Sequence, residues 1–554
     1  MTPEQLSDLI VAALADLSAG GAVTLPDGVP GAVTVERPRQ KGHGDYATNV
    51  ALQLGKRAGV PPRDLAALVA ERLAAVDGIA GVHVAGPGFL NITLDAGAQG
   101  VLADDVVAAG ASYGRSEALK GERVNVEFIS ANPTGPLHLG HTRWAAVGDA
   151  LARVLEAAGA VVEREFYIND RGAQLDHFGD SVLARALGEQ VPDEGYHGEY
   201  VADLASAVVS ARPGILDRPD DERRVAVREE AYRIQLAQQQ EELAEFHTTF
   251  DVWFSERRLH DSESGRSVAD SLEKLRGEGH LYDADGAVWM RTTDFGDDKD
   301  RVLIRSNGEL TYFASDTAYY LDKRSRGFDR CIYLLGADHH GYVGRLRAMA
   351  ACAGDDPDAT IEVLIGQLVK ILANGEELKL SKRAGTLVTL RELIDLIGVD
   401  PLRYTLARYP SDSPLTLDAG EMTRQVSDNP VFYVQYAHAR VCSILRNAAS
   451  LGLQPASHPD LLTHETEGHL LRALAELPRV VAGAAALREP HRVARYLEDT
   501  AAAYHRFYDS CRVLPLGDEE PSDLHRARLR LVQATRVVLA NGLGLLAVSA
   551  PDRM

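Results

Sequence analysis

The sequence is poor in cysteine and has no long apolar run. Its four cysteines, Cys331, Cys352, Cys442 and Cys511, are dispersed and form no CxxC pair. This spacing argues against a disulfide framework and against a cysteine-type zinc site. No apolar run reaches the ~18 residues that a membrane-spanning helix needs. The opening stretch MTPEQLSDLIVAALADL has the pattern of an acidic amphipathic helix without the features of a signal peptide, so we predict a cytoplasmic protein.

The sequence also lacks an excess of basic residues. The formal net charge is −22, from 58 Lys and Arg against 80 Asp and Glu. This balance argues against loose binding of polyanions over the whole surface, although it permits a local basic face. There is no Walker A phosphate-binding sequence, because Gly55-Lys56 is followed by Arg57. Composition alone therefore gives no sign of a nucleic-acid partner.

The chain has the length of several domains. Its 554 residues predict three or four of them. We predict the α/β class, with a Rossmann-like core and helical additions. The predicted parts are an N-terminal α/β domain at 1–112, a parallel-sheet core at 113–400, a linker at 401–425 and an all-α helical bundle at 426–554. Within the core, a long charged stretch predicts a mainly helical insertion at about 190–300.

Strand and helix patterns alternate in the core. RVNVEFIS alternates as a strand, Val147, Leu151 and Val154 then follow at helical spacing, and AVVEREFYI is the next strand. Such a β-α-β unit favours a parallel sheet with a right-handed crossover. Beyond the linker, helical patterns cover 428–448, 464–487, 489–511 and 522–547.

The stretch EFISANPTGPLHLGHTRW places prolines, glycines and two histidines where a strand gives way to a helix. Gly140 allows close approach to the backbone, and the helix N-terminus suits an anion. His138 and His141 share one helix face and can donate hydrogen bonds to phosphate oxygens. Two alternatives stay open: ordinary capping or packing histidines, and a zinc site, for which no third ligand is evident nearby.

A second motif, EELKLSKRAGT, carries Lys379, Ser381 and Lys382. Alone it is equally typical of a solvated charged turn. Together, HLGH after the first strand of the sheet and KLSKR after its last strands resemble the two signatures of class I aminoacyl-tRNA synthetases. The family patterns are His-Ile-Gly-His and Lys-Met-Ser-Lys-Ser. The present chain differs in having Leu139, Leu380 and Arg383; the leucines keep an apolar residue, while Arg383 replaces a hydroxyl.

Further stretches resemble the arginyl-tRNA synthetase family within this class. They are VEFISANPTGPLHLGHTR, YINDRGAQ, LTYFASDTAYYLDK, LLGADHHGY, KLSKRAGT, DPLRYTLARY, DNPVFYVQYAHARVCSI and VLANGLGLLAVSAPDRM. The N-terminal GDYATNVALQL and GPGFLNITL resemble this family's additional tRNA-contacting domain. The resemblance covers nearly the whole chain except 190–300.

The resemblance implies a ligase that serves translation. It would activate L-arginine with ATP to arginyl-adenylate, and transfer the arginyl group to the 3′-terminal adenosine of tRNA(Arg), releasing AMP and pyrophosphate. Mg²⁺ would accompany the triphosphate. The resemblance further implies a monomer that holds no structural metal and binds neither DNA nor membrane.

The resemblance also assigns roles to individual residues. The expected catalytic residues are His138, His141, Lys379 and Lys382. The expected ATP-binding residues are Pro133, Gly135, His138, Gly140, His141, Gly336, Asp338, His339, Lys379, Ser381 and Lys382. The expected arginine-binding residues are Glu127, Ser130, Asn132, His141, Tyr312, Asp316 and His340. The expected tRNA-binding residues are Tyr433, Gln435, Tyr436, Arg440 and Met554.

Several of these assignments have an ordinary structural alternative. Glu127 is also typical of a solvent-facing strand residue, and Asp316 of a carboxylate at a helix N-terminus. Asp338, His339 and His340 have the chemistry of metal ligands. The tyrosines at 433 and 436 are at the spacing of half-buried core residues. The arginines at 526, 528, 530 and 536 suit either phosphate contacts or a solvated face.

Two other functions also remain open. One is another class I synthetase or nucleotidyltransferase. The other is a non-catalytic RNA-binding paralogue, which should have lost His141 or Lys382; both are present.

Overall fold

The computed structural model describes residues 1–38, 42–261, 266–378 and 388–554. The N-terminal domain is a three-stranded antiparallel sheet in the order β1-β3-β2, with helices packed on it through one apolar core. Thr2 and Gln5 cap the first helix reciprocally, which fixes where it begins. The elements of this part are α1 (Pro3–Ala19), β1 (Tyr46–Thr48), α2 (Val50–Gly55), α3 (Pro62–Leu73), β2 (Ile79–Ala85), β3 (Phe89–Leu94) and α4 (Ala96–Ala109).

The core domain is built on a five-stranded, fully parallel sheet in the order β11-β10-β4-β5-β6. Its elements in chain order are β4 (Arg123–Glu127), α5 (Leu139–Ala157), β5 (Val161–Ile168), α6 (Ala173–Leu187), α7 (Glu199–Ala211), α8 (Asp220–Glu245), β6 (Val252–Ser255), α9 (Val268–Gly277), β7 (Leu281–Ala284), β8 (Ala287–Met290), β9 (Arg301–Ile304), α10 (Tyr312–Ser325), β10 (Arg330–Gly336), α11 (Val343–Cys352), α12 (Pro357–Thr360) and β11 (Ile361–Gly366). The strand order reverses between β4 and β10, so the switch point of the sheet lies there.

The region 190–300 is more varied than the predicted helical insertion. Helices α7 and α8 are present, but β6 pairs with β5 as the edge strand of the central sheet. Strands β7, β8 and β9 form a separate small antiparallel sheet. The β-α-β alternation thus continues through this region, and the domain bounds themselves stay a prediction.

The segment after β11 joins the core to the C-terminal helices. It contains β12 (Val369–Ala373), β13 (Glu376–Glu377), α13 (Leu390–Ile397), α14 (Val399–Ala407), β14 (Leu415–Asp418) and α15 (Ala419–Thr423). The helical domain then follows with α16 (Pro430–Ser450), α17 (Glu465–Ala475), α18 (Leu477–Leu487), α19 (His491–Ser510) and α20 (Asp523–Leu545). The predicted α/β class with a C-terminal helical bundle is confirmed. Helix α4 packs against this bundle through α17 and α20.

Helix α5 lies very close to the sheet. A Cβ atom on Gly148 would come within 2.4 Å of the Phe128 ring, and one on Gly366 within 2.3 Å of the Trp144 ring. The guanidinium of Arg143 donates to the backbone carbonyls of the segments that follow β11 and α14. These contacts fix both the distance and the rotation of α5.

A buried ion pair joins α5 to α14. Arg403 and Asp149 are both 0% exposed, and Nη2 of Arg403 lies 2.6 Å from Oδ2 of Asp149. The same guanidinium donates to the carbonyls of Phe246 and Leu546 and to the Thr248 hydroxyl. Because Leu546 follows α20, this one side chain ties the core sheet's first helix to the helical domain.

No helix in the described ranges combines the length and the apolar character that a membrane crossing requires.

Candidate active site

The candidate site lies at the carboxyl ends of β4 and β10, where the strand order reverses. Ligands of open parallel sheets bind in this crevice. After β4 the chain turns through Ile129 and Ser130, whose φ angles are 71° and 43°. These left-handed conformations are uncommon for residues other than glycine and mark a constrained turn. The turn leads to the N-terminus of α5, where the two histidines of HLGH lie.

The histidine pair is held in one protonation state by the backbone. Nδ1 of His138 accepts the N–H of Gly140 at 3.2 Å, and Nδ1 of His141 accepts the N–H of His138 at 3.3 Å. The two rings stack with their centroids 3.8 Å apart. Burial lowers the pKa of His138, and burial together with His138 lowers the pKa of His141 to about 3. Both rings are therefore neutral, and Nε2 of each carries the proton.

This arrangement reconciles two interpretations of the motif. His138 does cap α5, but capping uses only Nδ1. The Nε2–H groups remain as donors, beside the positive end of the helix dipole. The zinc alternative is not supported in the described ranges, where neither histidine belongs to a three-ligand group.

Helices α6 to α8 hold the turn before HLGH. Gln239 on α8 donates to the carbonyls of Asn132 and Gly135, at 3.1 and 2.8 Å. The Tyr200 hydroxyl on α7 donates to the carbonyl of Thr134, and the Asn132 amide donates to Gln174 at 2.6 Å. Pro133 is buried in this turn. No sequence pattern pointed to Gln239 and Tyr200, which lie in the region without recognised motifs.

The lysine motif lies outside the described residues, so Lys379, Ser381 and Lys382 have no described position. The chain that follows it pairs with HLGH: Leu139 donates to the carbonyl of Val388, and Leu390 donates to that of Leu137. His138 and Thr389 form an isolated antiparallel bridge. The described flank of the second motif is thus adjacent to the first.

Glu127, at the end of β4, forms an ion pair with a lysine of the same chain. Nζ of the fully buried Lys323 lies 2.6 Å from its Oε2, and the Ser130 hydroxyl donates to Oε1 at 2.9 Å. The Lys323 ammonium also lies over the rings of Tyr319 and Tyr333, at 4.3 and 4.0 Å. Lys323 was missed from the sequence, because lysines are rarely fully buried.

Asp316, on the face of α10 toward the sheet, has a different environment. Its Oδ2 accepts a hydrogen bond from the Tyr342 hydroxyl. Burial is the main cause that raises the pKa of Asp316, to about 7 in all. The Tyr342 hydrogen bond opposes the rise, Glu127 and Glu256 add to it, and the attraction of Arg345 is the weakest of these influences. The surroundings of Asp316 therefore stabilise its ionised form only in part.

The other predicted substrate residues are more open. Tyr312 begins α10 and is 71% exposed, one helical turn before Asp316. Gly336 ends β10, and Asp338, His339 and His340 lie in the 3₁₀ segment Ala337–Tyr342 at the mouth of the site. Within the described residues, Asp338, His339 and His340 do not form a group whose ligand atoms are close enough together to hold one metal ion.

The predicted tRNA residues divide into two sets. Tyr436, Arg440 and Met554 line a cavity of about 910 Å³ between α16, α19 and the C-terminal residues. The Arg440 guanidinium lies over the rings of Tyr436 and Tyr508, at 4.8 and 4.5 Å. This combination of rings and a cation suits an unstacked base.

The remaining two do not line this cavity. Gln435 is buried, and its Nε2 donates to Asp400 at 2.8 Å and to the Ser549 carbonyl at 3.0 Å, so it holds the C-terminal residues in place. Tyr433 packs against the His505 ring at 4.9 Å, as the half-buried alternative expects.

Two of the four C-terminal arginines form close ion pairs, and a third, Arg526, lies at the edge of pairing distance, 4.0 Å from Asp523. Arg528 lies 2.7 Å from Glu467, and Arg530 lies 2.6 Å from Asp104 on α4. These two fasten the helical domain and its contact with α4.

Three protein-family models match the chain in succession. They are the arginyl tRNA synthetase N terminal domain at 4–94, the class I (R) tRNA synthetase catalytic domain at 104–400, and the DALR anticodon binding domain at 434–554. The parallel sheet and the neutral histidine pair at its switch point fall within the second match. Sheet, site and match together define a class I aminoacyl-tRNA synthetase.

Comparison with relatives over the full chain identifies the family within this class. The chain is 57% identical to an arginine–tRNA ligase of Kineococcus radiotolerans and 58% identical to one of Frankia alni, each over 100% of both chains. A solved arginyl-tRNA synthetase of Thermus thermophilus shares the fold, with a TM-score of 0.77 and 24% identity over 100% of both chains. The chain belongs to the arginyl-tRNA synthetase family.

Proposed function

We propose that the chain activates L-arginine with ATP to arginyl-adenylate and transfers the arginyl group to the 3′-terminal adenosine of tRNA(Arg), releasing AMP and pyrophosphate. The observation that carries this proposal is Asp316. A half-buried carboxylate with a pKa of about 7 beside Glu127, hydrogen-bonded through one oxygen to Tyr342, favours a ligand that brings a positive charge. The planar guanidinium of arginine supplies this charge and two parallel N–H donors.

The activation step is the attack of the arginine carboxylate on the α-phosphorus of ATP. An O–P bond forms to the α-phosphate, the bond to the β-phosphate oxygen breaks, and pyrophosphate leaves. The protein forms no covalent bond and instead stabilises the developing charge. The Nε2–H groups of His138 and His141 and the N-terminus of α5 are suited to this role. We assign the same task to Lys379 and Lys382, and expect Mg²⁺ with the triphosphate.

Arginine would lie between β4 and α10. Asp316 would accept the guanidinium. The ammonium and carboxylate of the substrate would lie near Glu127, Ser130 and Asn132, as the family resemblance implies. Because Lys323 already neutralises Glu127, the ammonium gains hydrogen bonding there more than net charge attraction. Specificity for arginine therefore rests mainly on the Asp316 side of the pocket.

We further propose that tRNA(Arg) places anticodon bases in the cavity lined by Tyr436, Arg440 and Tyr508. The stacked rings supply faces for bases, and the local arginines supply the positive charge that the chain lacks overall. We propose that the protein acts as a monomer in the cytoplasm.

A survey of amino acids tests this function. Charging of tRNA and pyrophosphate exchange are measured with each of the twenty amino acids, with and without tRNA(Arg). Of the twenty amino acids, we expect only arginine to be charged to tRNA. We expect pyrophosphate exchange only when tRNA(Arg) is present, as is usual in this family. Preferential charging of another amino acid would contradict the proposal, and robust exchange without tRNA would contradict only the expected order of events.

The lysine motif has its own test within this function. Lys382→Ala should lower kcat with little change in the KM for arginine, because its charge is needed mainly in the transition state. We expect a loss on the order of 2–4 kcal/mol, as for removal of one charge-stabilising donor. Lys120→Ala, at an exposed pair with Glu117, is the control and should leave both constants unchanged. A raised KM with kcat preserved would make Lys382 a simple binding residue.

A further inference from the structure

The contact between Asp316 and Tyr342 joins two elements that are separate in sequence. Asp316 lies on α10, and Tyr342 ends the 3₁₀ segment that follows β10. The Tyr342 hydroxyl donates to Oδ2 of Asp316 and so leaves Oδ1 for another partner. We propose that Tyr342 is a positioning residue for arginine: it fixes one oxygen of Asp316 so that the other receives the guanidinium. This inference rests on the proposed function and adds a residue to it.

The Tyr342 ring is held from two sides. Its face lies under the Arg345 guanidinium, 4.5 Å from the centroid, and its ring meets Phe313 of α10 edge to face at 6.4 Å. Burial raises the pKa of Tyr342 well above its ordinary value, with Asp316 as the next cause. The hydroxyl therefore stays protonated at every working pH and can only donate to the carboxylate.

The charges around Asp316 give this hydrogen bond its importance. The titratable groups that face Asp316 come from five elements: Glu127 on β4, Tyr167 on β5, Glu256 in the 3₁₀ segment after β6, Tyr342, and Arg345 on α11. Burial and the two glutamates favour the protonated acid. Of the two groups that favour the carboxylate, the Tyr342 hydrogen bond acts more strongly than Arg345. Removing the hydroxyl should therefore both free the carboxylate to rotate and make it harder to ionise.

The same helix provides a matched control. Tyr320 donates to a carboxylate of Asp355 at 2.7 Å and contacts the Thr360 hydroxyl at 3.0 Å. This is the same tyrosine–aspartate chemistry near the other end of α10, away from the pocket. Replacement of either tyrosine by phenylalanine removes one oxygen atom and keeps the ring packing.

The test compares Tyr342→Phe with Tyr320→Phe in arginine charging of tRNA from about pH 6 to about pH 9. The pH profile of kcat/KM reports ionisation of the free enzyme. For Tyr342→Phe we expect the half-maximal pH to rise by about one unit and the KM for arginine at pH 7 to rise about tenfold, which is the effect of one hydrogen bond to a charged group. The kcat at saturating arginine and the KM for ATP should stay as in the parent. Tyr320→Phe should leave the profile in place.

A double variant completes the test. Once Asp316→Asn has removed the charge, adding Tyr342→Phe should cost little more, because the two residues act as one unit. Additive losses, or a uniform loss with an unmoved pH midpoint, would overturn the assignment and make Tyr342 a packing residue. An identical shift in Tyr320→Phe would do the same. Failure of the parent protein to charge arginine at all would instead contradict the proposed function.

Discussion

The interface between α5 and α14 contains a fully buried carboxylate and the pocket beside α10 a half-buried one, and the two carboxylates have different partners. Asp149 in the interface has the guanidinium of Arg403 at 2.6 Å, and neither residue is exposed. Asp316 in the pocket has a tyrosine hydroxyl, and its pKa is raised to about 7. Asp149 has its ion-pair partner within the chain, whereas we propose that Asp316 obtains its partner from a ligand that brings its own charge. A buried carboxylate with an opposite charge beside it stabilises the scaffold, whereas a half-buried carboxylate without a close cation indicates the charge of the ligand that the scaffold binds.

Removal of the matching cation in the interface should have the largest effect. Arg403→Met leaves Asp149 buried without its main partner, and breaking such a pair costs about 3–5 kcal/mol of unfolding free energy. We expect the lower end of this range, because Arg153 still donates to Asp149 at 2.8 Å. The urea midpoint of the core domain measures the change.

A partly exposed pair on the same segment is the control. Arg408 contacts Glu498 at 2.6 Å with 30% of its side chain exposed, so Arg408→Met should cost less than about 1 kcal/mol. Equal losses in the two variants would mean that burial does not distinguish the pairs.

Neutralisation of the pocket carboxylate should affect activity and stability in opposite directions. Asp316→Asn should lower kcat/KM for arginine by roughly 2–5 kcal/mol, because it removes a charged hydrogen bond at a partly desolvated site. The unliganded variant should nevertheless unfold at a higher temperature than the parent at pH 8, since the parent ionises a carboxylate that its surroundings disfavour. Asp355→Asn, which alters the acceptor of Tyr320, is the control for activity. An arginine kcat/KM within about twofold of the parent (~0.4 kcal/mol) would make Asp316 a structural residue.

The protection given by arginine should depend on pH in a defined direction. The folded pKa of Asp316 is raised to about 7 from an ordinary 3.8, so ionisation lowers the stability of the free protein as pH rises between these values. In the proposed pocket, arginine binds the ionised form of Asp316. Its apparent affinity should therefore be about tenfold weaker at pH 6 than at pH 8, as read from the rise in unfolding temperature. The Asp316→Asn variant should lose this dependence, and an unchanged dependence would trace it to another group.

The exposed rim of the pocket should contribute least. Tyr312 is 71% exposed, so its hydroxyl is already hydrated before a substrate arrives. Tyr312→Phe should lower arginine kcat/KM by less than about 1 kcal/mol, the range of a net exposed hydrogen bond. A larger loss would show that the rim closes over the substrate and buries this tyrosine.

The sequence predicted those features that arise from local patterns. Glycines, prolines and a helical period placed HLGH at a strand–helix junction, and strand–helix alternation placed that junction at the carboxyl edge of a parallel sheet. The C-terminal helices followed from the same periodicity. Long-range partners left no such pattern: Lys323 meets Glu127 across 196 residues, and Arg403 meets Asp149 across 254.

Helical periodicity also could not tell which polar residue of α16 faces the cavity. Gln435 and Tyr436 are adjacent, yet the first binds the C-terminal residues and the second lines the cavity. The choice depends on where residues 549–554 return to α16, which is a property of the assembled domain.

The close seating of α5 has a mechanical consequence. With Gly148 against Phe128, Gly366 against Trp144, and Arg143 tied to three carbonyls, this helix has no room to slide or to turn. The two histidines at the N-terminus of α5 are therefore held in fixed positions relative to the sheet. If the cleft narrows around a substrate, the movement must come from its opposite wall, which is formed by the start of α10 and the 3₁₀ segment after β10.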